Sequence, residues 1–511
     1  MERVKTIVLS TALACVLAMP ALADDTPKRG GTLTQAVDLE PATLDPIYGN
    51  APGKDRAVYT QMLENLFVQD DAGNFVPQLA TSWEIAPDQK SIIFKLRDGV
   101  VFHDGTPFNA EAVKFNLDRV IDPAQKARAR QFVGDMASIE VIDPLTVKVN
   151  FSAPSGSVLA GLANEAGMIS SPTAVKAKGA DYARSPVGTG PFRFVSWTGG
   201  DRIAVERFDK YWGKDDKGQQ LPYLDAVVTR FIPNTTVKIV ELRSGNVQLG
   251  DLVQVKDYGQ IERDGNTELV PNHVGTAQYM SFNLTKPPFN NPDLRRAVAH
   301  GINRQTMERV VSRGEGVIAP TFEPPSSWAF PAELQPHAHD LAKAKEYYKK
   351  SGHSGPITLA IIQRDPDTQI AQIIQSQLKD VGITVNIETM ERQAWLDKIL
   401  SYNYDMALQR ANTPRVDPDM SFSTYYSRNA GSNYAGIKDE KVFNDVAAAR
   451  GTTNLEERKK LYSDIQKQLL DEYYQTFFFW RANKDVKRKN IKGVRRELSG
   501  NWLVDRAWIA N

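Results

Sequence analysis

A dense cluster of charged and amide side chains lies between residues 408 and 419. Its members are Arg410, Asn412, Arg415, Asp417 and Asp419. Two guanidinium groups can hold a carboxylate or a phosphate through paired hydrogen bonds. The alternative is that both arginines are solvated or paired with the two aspartates, as surface charges commonly are. The cluster is therefore either an anion-binding site or an ordinary charged loop.

Histidines could supply a second kind of chemistry, which is metal binding. The sequence has six, and the close pair among them is His337 and His339. Two alternating positions in a proline-containing loop do not make a ligand set for a transition metal. We therefore predict no bound metal and no other cofactor.

Catalytic motifs are missing from the sequence. There is no Gly-x-Ser-x-Gly elbow, phosphate-binding loop, dinucleotide fingerprint or His-Glu-x-x-His pair. Asp417 and Asp419 could serve as an acid and a base, but Asp-Pro-Asp is more commonly a turn. We predict that the protein is not an enzyme, and hydrolysis is the remote alternative.

Residues 1–23 have the order of a secretory signal peptide. Arg3 and Lys5 precede a short apolar run, and small residues end at Ala23. Cleavage there would also remove Cys15, the single cysteine, so that the mature chain could form no disulfide. Lipidation of Cys15 is the alternative, although the apolar stretch before it would be very short. The sequence predicts a secreted protein.

The charge balance excludes some partners. The chain has 62 Lys and Arg against 61 Asp and Glu, a formal net charge of +1. A balanced chain does not indicate a nucleic-acid footprint or a polybasic membrane anchor. No stretch after the signal approaches the roughly 18 apolar residues of a membrane span. We expect a soluble monomer that binds no nucleic acid.

Periodicity divides the elements that must position these side chains into two groups. Alternating patterns predict strand pairs at 83–86 with 91–96, 139–142 with 146–151, and 188–197 with 202–207. Helical spacing is predicted at 56–67, from Asn109 as N-cap, and at 295–302, 341–351, 368–381 and 455–473. Strands at 357–362 and 384–389 separate the later helices. Two lobes around a cleft, the second of them α/β, are the natural arrangement.

Several segments together resemble family 5 of the bacterial extracellular solute-binding proteins, the dipeptide-, oligopeptide- and nickel-binding components of ABC importers. The densest similarity is in residues 77–84 and 94–116, which read PQLATSWE and FKLRDGVVFHDGTPFNAEAVKFN. Further similar segments follow in the same order at 188–192, 211–212, 283–303 and 375–383. The resemblance covers nearly the whole chain after the signal.

The resemblance implies an α/β periplasmic binding protein with two lobes around a ligand cleft and an extra inserted domain. The first lobe would comprise residues 28–58, 186–276 and 486–511. The inserted domain would be 59–185, and the second lobe 277–485. The lobes would close on the ligand about a hinge.

The resemblance also places the binding loop. Peptide-binding members have an aspartate and a preceding tryptophan in this loop, and these positions fall on Pro414 and Ala411 here. Both departures argue against an ordinary dipeptide carrier. Tyr48, Trp395 and Trp480 are aromatic candidates for covering a ligand, although core packing is the commoner role of such rings.

The predicted function is therefore that of a periplasmic solute-binding protein, which delivers a di- or oligopeptide to an inner-membrane ABC permease. The alternative is a carrier of a non-peptide solute, such as an opine-like conjugate, another acidic solute or a nickel complex. The predicted ligand contacts are Tyr48, Trp395, Arg410, Asn412, Arg415, Asp417 and Trp480.

Overall fold

The computed structural model describes residues 26–49, 55–70, 73–253, 255–364, 366–413, 417–428 and 430–510. The predicted signal peptide and Arg415 lie outside these ranges. Within the described residues, no helix combines the length and the apolar character needed to cross a bilayer.

The described chain alternates short strands and helices. Its strands are β1 Thr32–Val37, β2 Glu64–Asn65, β3 Phe67–Gln69, β4 Phe75–Pro77, β5 Ala80–Ile85, β6 Ser91–Leu96, β7 Met136–Asp143, β8 Thr146–Phe151, β9 Met168–Ile169, β10 Phe192–Thr198, β11 Arg202–Arg207, β12 Ala226–Phe231, β13 Leu249–Val253, β14 Thr267–Phe282, β15 Gly316–Val317, β16 Ile357–Ile362, β17 Val385–Met390, β18 Met406–Thr413, β19 Gln475–Arg488, β20 Ile491–Lys492, β21 Arg495–Arg496, β22 Trp502–Leu503 and β23 Trp508–Ile509. Its α-helices are α1 Arg56–Tyr59, α2 Ala110–Ile121, α3 Gly156–Leu162, α4 Pro172–Lys178, α5 Thr235–Ser244, α6 Tyr258–Glu262, α7 Pro292–Gly301, α8 Arg304–Ser312, α9 Leu341–Ser351, α10 Asp367–Val381, α11 Arg392–Leu400, α12 Asp419–Tyr426, α13 Glu440–Arg450 and α14 Leu455–Asp471. Short 3₁₀ turns cover Pro46–Tyr48, Pro123–Gln125, Arg128–Phe132, Glu165–Gly167, Gly179–Arg184 and Val255–Asp257.

An 11-stranded mixed sheet runs through the molecule in the order β10-β11-β12-β1-β13-β19-β14-β18-β16-β17, with β15 paired to β19. Its long central strands are β14, of 16 residues, and β19, of 14 residues. One end of this antiparallel pair adjoins β13, and the other end adjoins β18. The register shifts between Pro271 and Gly275. The two strands therefore form a continuous link between the two ends of the sheet.

A separate core surrounds each end of the sheet. Around β1 and β10–β13 the buried residues include Leu33, Phe192, Ile203, Leu249 and Ile491. Around β16–β18 they include Met280, Leu294, Leu359, Ile374 and Phe478. We call these two regions the first and second lobes.

A smaller unit, here called the insert, extends from β2 to β9 and has its own core. Its four-stranded antiparallel sheet has the order β5-β6-β8-β7. Helix α2 covers this sheet, and its N-cap is Asn109, whose Oδ1 accepts a hydrogen bond from the Ala112 amide at 3.0 Å. The cap and both predicted strand pairs of this unit are confirmed.

Glu64 joins the insert to the first lobe. Its buried carboxylate accepts hydrogen bonds from Thr189 Oγ1 at 2.8 Å, Trp212 Nε1 at 2.9 Å and Tyr211 Oη at 3.0 Å. Burial raises the pKa of Glu64 to about 7, against the lowering effect of these hydrogen bonds. The joint brings together three segments that are distant in sequence.

The predicted helix at 56–67 is wrong in length. Helix α1 ends at Tyr59, and Phe67–Gln69 pairs with Phe75–Pro77 as a strand. Val58, Met62 and Leu66 are all fully buried. A chain that is covered on every side has apolar residues at many spacings, so helical spacing alone did not identify its conformation.

Candidate functional site

A cavity of about 1380 Å³ lies between the two lobes. Polar and charged residues that line it include Gln35, Arg56, Asp251, Gln278, Arg313, Gln369, Gln372, Arg410, Arg481 and Asp485. Ligand pockets commonly enclose about 300–1000 Å³. A small solute would therefore touch both walls of this cleft only after the lobes approach each other.

The linking strands form the floor of the cleft. Thr276 and Gln278 of β14 line it, as do Phe479, Arg481, Asn483 and Asp485 of β19. Successive side chains of a strand point to opposite faces. Ala277 and Trp480 accordingly lie in a buried cluster that also contains Ala411.

Arg410 belongs to the second-lobe wall and is held by a buried carboxylate. Its Nη2 lies 2.5 Å from Oδ1 of Asp367, the first residue of α10, and its Nε lies 2.9 Å from the same oxygen. Asp367 is fully buried and also binds Arg364 at 2.8 Å. One carboxylate thus binds two guanidinium groups.

Arg481 adds a second positive charge to the floor. It is opposite Thr276 on one side of β14, and Arg410 is opposite Gln278 on the other. The two backbones are therefore separated across the sheet by two strand spacings, or about 10 Å. Arg481 makes no ion pair with a described residue.

The pKa of Arg410 responds to this crowding of positive charge. Burial lowers it, and the charges of Arg364 and Arg481 lower it further, while Asp367 opposes the shift. An anion between the two arginines of the cleft would relieve their repulsion. The second-lobe side of the cleft is thus suited to a carboxylate or a similar group.

The acidic residues of the cleft are paired with cations. Asp251 binds the buried Lys238, and Asp485 binds Arg496 at 2.6 Å. Glu165 lies 3.7 Å from Arg56, which also binds Glu497 at 2.9 Å. Although burial lowers the pKa of Arg56, these two glutamates raise it above its ordinary value. Each acidic side chain that lines the cleft thus has a cationic partner other than Arg410 and Arg481.

The seven predicted ligand contacts are divided among several places. Arg410 lines the cleft. Asn412 lies in β18 with its backbone opposite Thr276, and its side chain is outside the described part of the structure, as is Arg415. The expected alternative partners of Arg410 were Asp417 and Asp419, whereas its partner is Asp367.

The other four predicted contacts lie away from the cleft lining. Asp417 forms a buried two-point ion pair with Arg458, at 2.6 and 2.8 Å. Trp395 and Trp480 are 7% and 6% exposed within separate cores, and Tyr48 donates a hydrogen bond to Gln125 Oε1 at 2.9 Å. Their roles as ligand contacts stay predictions, and their positions do not favour them.

Sequence reasoning missed Arg481. The alternation of β19 could have identified it. Residues 477–480 are all aromatic, and Arg481 is the first charged residue after them. Because neighbouring side chains in a strand point to opposite faces, Arg481 must point away from the face that Trp480 covers. Of these two residues, Arg481 is the one that lines the cleft.

His300 and His337 pack against aromatic rings. Among the described residues, no group of three or more His, Cys, Asp and Glu side chains is arranged to hold a metal ion. His337 stacks on Tyr473 with ring centroids 3.8 Å apart, and His300 accompanies them. Burial lowers the pKa of His337 to about 4, which keeps its ring neutral.

Comparisons with known proteins agree on one family. The model of the family described as "Bacterial extracellular solute-binding proteins, family 5 Middle" matches residues 74–433. The chain is 30% identical over 504 residues to the glutathione-binding protein GsiB of Salmonella typhi, covering 96% of this chain and 94% of that protein.

Two solved structures are also similar. The periplasmic binding protein DppA of Helicobacter pylori, in complex with the peptide STSA, has 26% identity and a TM-score of 0.76, covering 95% of this chain and 99% of that one. The binding protein AgaA of A. tumefaciens R10, in complex with agropinic acid, has 27% identity and a TM-score of 0.74, covering 94% and 99%. The predicted two-lobed fold of this type is confirmed.

Proposed function

This chain belongs to family 5 of the bacterial extracellular solute-binding proteins, and we propose that it carries a small peptide-like solute with at least one carboxylate to an ABC permease. The solute would lie in the cleft between the lobes, with its anionic group between Arg410 and Arg481. The protein would be secreted to the periplasm after loss of residues 1–23 and would act there as a monomer.

The observation that supports this proposal most directly is the pair of cleft arginines on either side of β14. Arg410 is anchored by Asp367, so that little side-chain freedom is lost when it binds an anion. Arg481 has no anionic partner among the described residues and lies on the same face of the sheet. The two groups can therefore hold one anion from two sides, in a site that becomes drier as the lobes approach.

The relatives support this choice of ligand. Glutathione, a tetrapeptide and agropinic acid differ in backbone, but each carries a carboxylate. Glutathione has two, and it is the compound in the name of a relative that matches almost the full length of the chain. A peptide of the glutathione type is accordingly the first candidate, and an opine-like acid is the second because AgaA is 27% identical to this chain.

The proposed lobes are residues 28–58 with 186–276 and 486–511, and residues 277–485. The inserted domain would be 59–185. The cores around β1 and β16 support this division, and the insert core within 66–169 supports a separate middle unit. The closed form would be the form that docks on the permease.

Titration calorimetry and thermal unfolding of residues 24–511 test the proposal. We expect glutathione, the peptide Ser-Thr-Ser-Ala or agropinic acid to bind with one-to-one stoichiometry and to raise the melting temperature as the logarithm of its concentration. Amidation of the peptide carboxylate should abolish its binding. Turnover of these compounds without stoichiometric binding would contradict a carrier.

Arg481→Gln tests the anion site. Loss of one charged hydrogen-bond donor should weaken binding by about 1.5–3 kcal/mol, or roughly 10- to 150-fold. Arg202→Gln is the matched control, since it removes an exposed charge at β11, where Arg202 pairs with Asp201. An affinity that is equal in both variants would remove Arg481 from the site.

A further inference from the structure

The insert touches the second lobe at a place remote from the linking strands. Oε1 of Gln89, in the turn between β5 and β6, accepts hydrogen bonds from the Thr453 amide at 3.0 Å and from its hydroxyl at 3.1 Å. Asp135 lies 3.6 Å from Arg450 at the end of α13. These polar contacts are partly exposed, so they can exchange with water when the two surfaces separate.

Gly156 makes the closest approach. A Cβ atom built on this first residue of α3 would lie 2.0 Å from the carbonyl oxygen of Thr452 and 3.0 Å from Nε of Arg458. Any side chain would therefore push the backbones apart. The surfaces fit at this position because residue 156 is glycine.

Arg458 is the centre of the contact on the second-lobe side. It forms the two-point ion pair with Asp417, and its Nη1 lies 3.5 Å from the Gly156 carbonyl. Its guanidinium is 5.2 Å from the ring of Trp328. Trp328 in turn packs on Gly73 of the insert, where an added Cβ would lie 2.7 Å from Cδ1.

The segment from β18 to α12 connects this contact between the insert and the second lobe to the cleft. Asp417 follows β18, the strand that places Arg410 in the cleft wall, and α12 begins at Asp419. Met420 of α12 and Phe132 of the insert both line the cleft. The contact thus lies beside the cavity on the insert side. Strands β14 and β19 form the floor of the same cavity.

We infer that the contact of Gly156 and Gln89 with Thr452, Thr453 and Arg458 is a latch that holds the insert against the second lobe and limits how far the cleft can open. Rotation about β14 and β19 moves remote surfaces furthest, so opening must break this contact before it strains the linking strands. The free energy of the latch therefore stabilises the latched arrangement over any wider opening of the cleft and shifts its population. Asp417 and Arg458 would be positioning residues that couple the latch to the loop beside the solute.

Small-angle scattering of the solute-free protein tests the latch, so the result does not depend on the proposed function. Gly156→Val should increase the radius of gyration, and it should speed amide hydrogen exchange at Thr453. Glutathione serves as the binding probe, and its affinity should fall by the factor by which the latched population falls.

A milder variant tests the latch if Gly156→Val does not fold. The double substitution Gln89→Gly with Arg450→Gln removes only partly exposed contacts, and glycine suits the φ of 56° at residue 89. It should also enlarge the radius of gyration and speed exchange within α3. Lys460→Ala is the control, because Lys460 lies on α14, has a side chain that is 75% exposed and pairs with the nearby Asp464.

An unchanged radius and unchanged exchange in every variant that folds would overturn the latch. A larger radius with faster exchange would support it even if glutathione bound neither variant nor wild type. That last result would contradict the choice of glutathione in the proposed function and leave the latch intact.

Discussion

The carboxyl group of Glu64 has no cationic partner among the described residues, and neutral donors surround it. Its pKa of about 7 lies well above the ordinary value of 4.5, because burial disfavours the charged form. Between these two values the unfolded chain releases the proton while the folded chain keeps it. The free energy of unfolding should therefore fall as pH rises from 4.5 to 7, by up to about 3 kcal/mol from this group.

Glu64→Gln should remove this fall. The amide oxygen can accept the bonds from Trp212 and Thr189, and the amide nitrogen can donate to the Tyr211 hydroxyl. Urea unfolding at pH 5, 6, 7 and 8 measures the effect, with Glu84→Gln on the exposed side of β5 as the control. A variant that keeps the wild-type slope would show that another group titrates in this window.

Residue identity alone did not indicate the surroundings of Asp417, one of the predicted ligand contacts. Asp417 stands in a sequence cluster rich in charge, and its neighbours suggested a solute contact. It is instead 1% exposed and paired with Arg458. Because the Asp417 carboxylate is buried and paired with the Arg458 guanidinium, it helps to fix the position of its loop and does not present its charge to a solute.

The linking strands bring two backbones close together at Gly275. A Cβ atom on Gly275 would lie 2.3 Å from the carbonyl oxygen of Arg481 and 2.4 Å from Cζ2 of Trp480. These atoms belong to β19, where the ladder restarts after the register shift. The close approach allows Trp480 to cover the strand while Arg481 faces the cleft.

Gly275→Ala should destabilise the protein by about 1–3 kcal/mol, because overpacking at a backbone contact forces a shift of the strands. Gly265→Ala is the control, since a Cβ there meets no atom within 4 Å. Urea unfolding measures both. Equal stability of the two variants would mean that the strands separate locally at little cost, as a flexible hinge would allow.

At the scale of elements, the sequence predictions succeeded for the largely exposed helix α9 and for the short apolar strand β16. The helix at 341–351 and the strand at 357–362 agree with α9 and β16 to the residue. The prediction for 56–67 failed because that segment is buried on all sides. The spacing of apolar residues indicates which side of a helix or strand faces the core. It cannot distinguish a helix from a strand where the core surrounds the chain on all sides.

The whole molecule consists of two lobes, an insert and a cleft larger than a small solute needs. Binding should therefore close the lobes and make the molecule more compact. We expect glutathione at saturation to lower the radius of gyration of wild type in small-angle scattering. Arg481→Gln should need a higher glutathione concentration for the same change. Binding by calorimetry without compaction would indicate that the solute is held by one lobe alone.

The sequence by itself determined the family, some of the helices and strands, and the helix cap at Asn109. These features depend on local spacing, capping chemistry and long family segments, all of which can be read along the chain. It also identified Arg410 as a candidate for anion binding, because the resemblance places the binding loop at residues 408–419 and a guanidinium group can bind a carboxylate.

Only the tertiary structure decided which charges meet. Arg410 pairs with Asp367, 43 residues away, and Asp417 pairs with Arg458, 41 residues away. Arg481 reaches the cleft because β19 lies beside β14 in one register, and Gly156 meets Thr452 because the insert folds back across the second lobe. Strand order and register depend on the packing of distant segments, so local spacing could not reveal these partners.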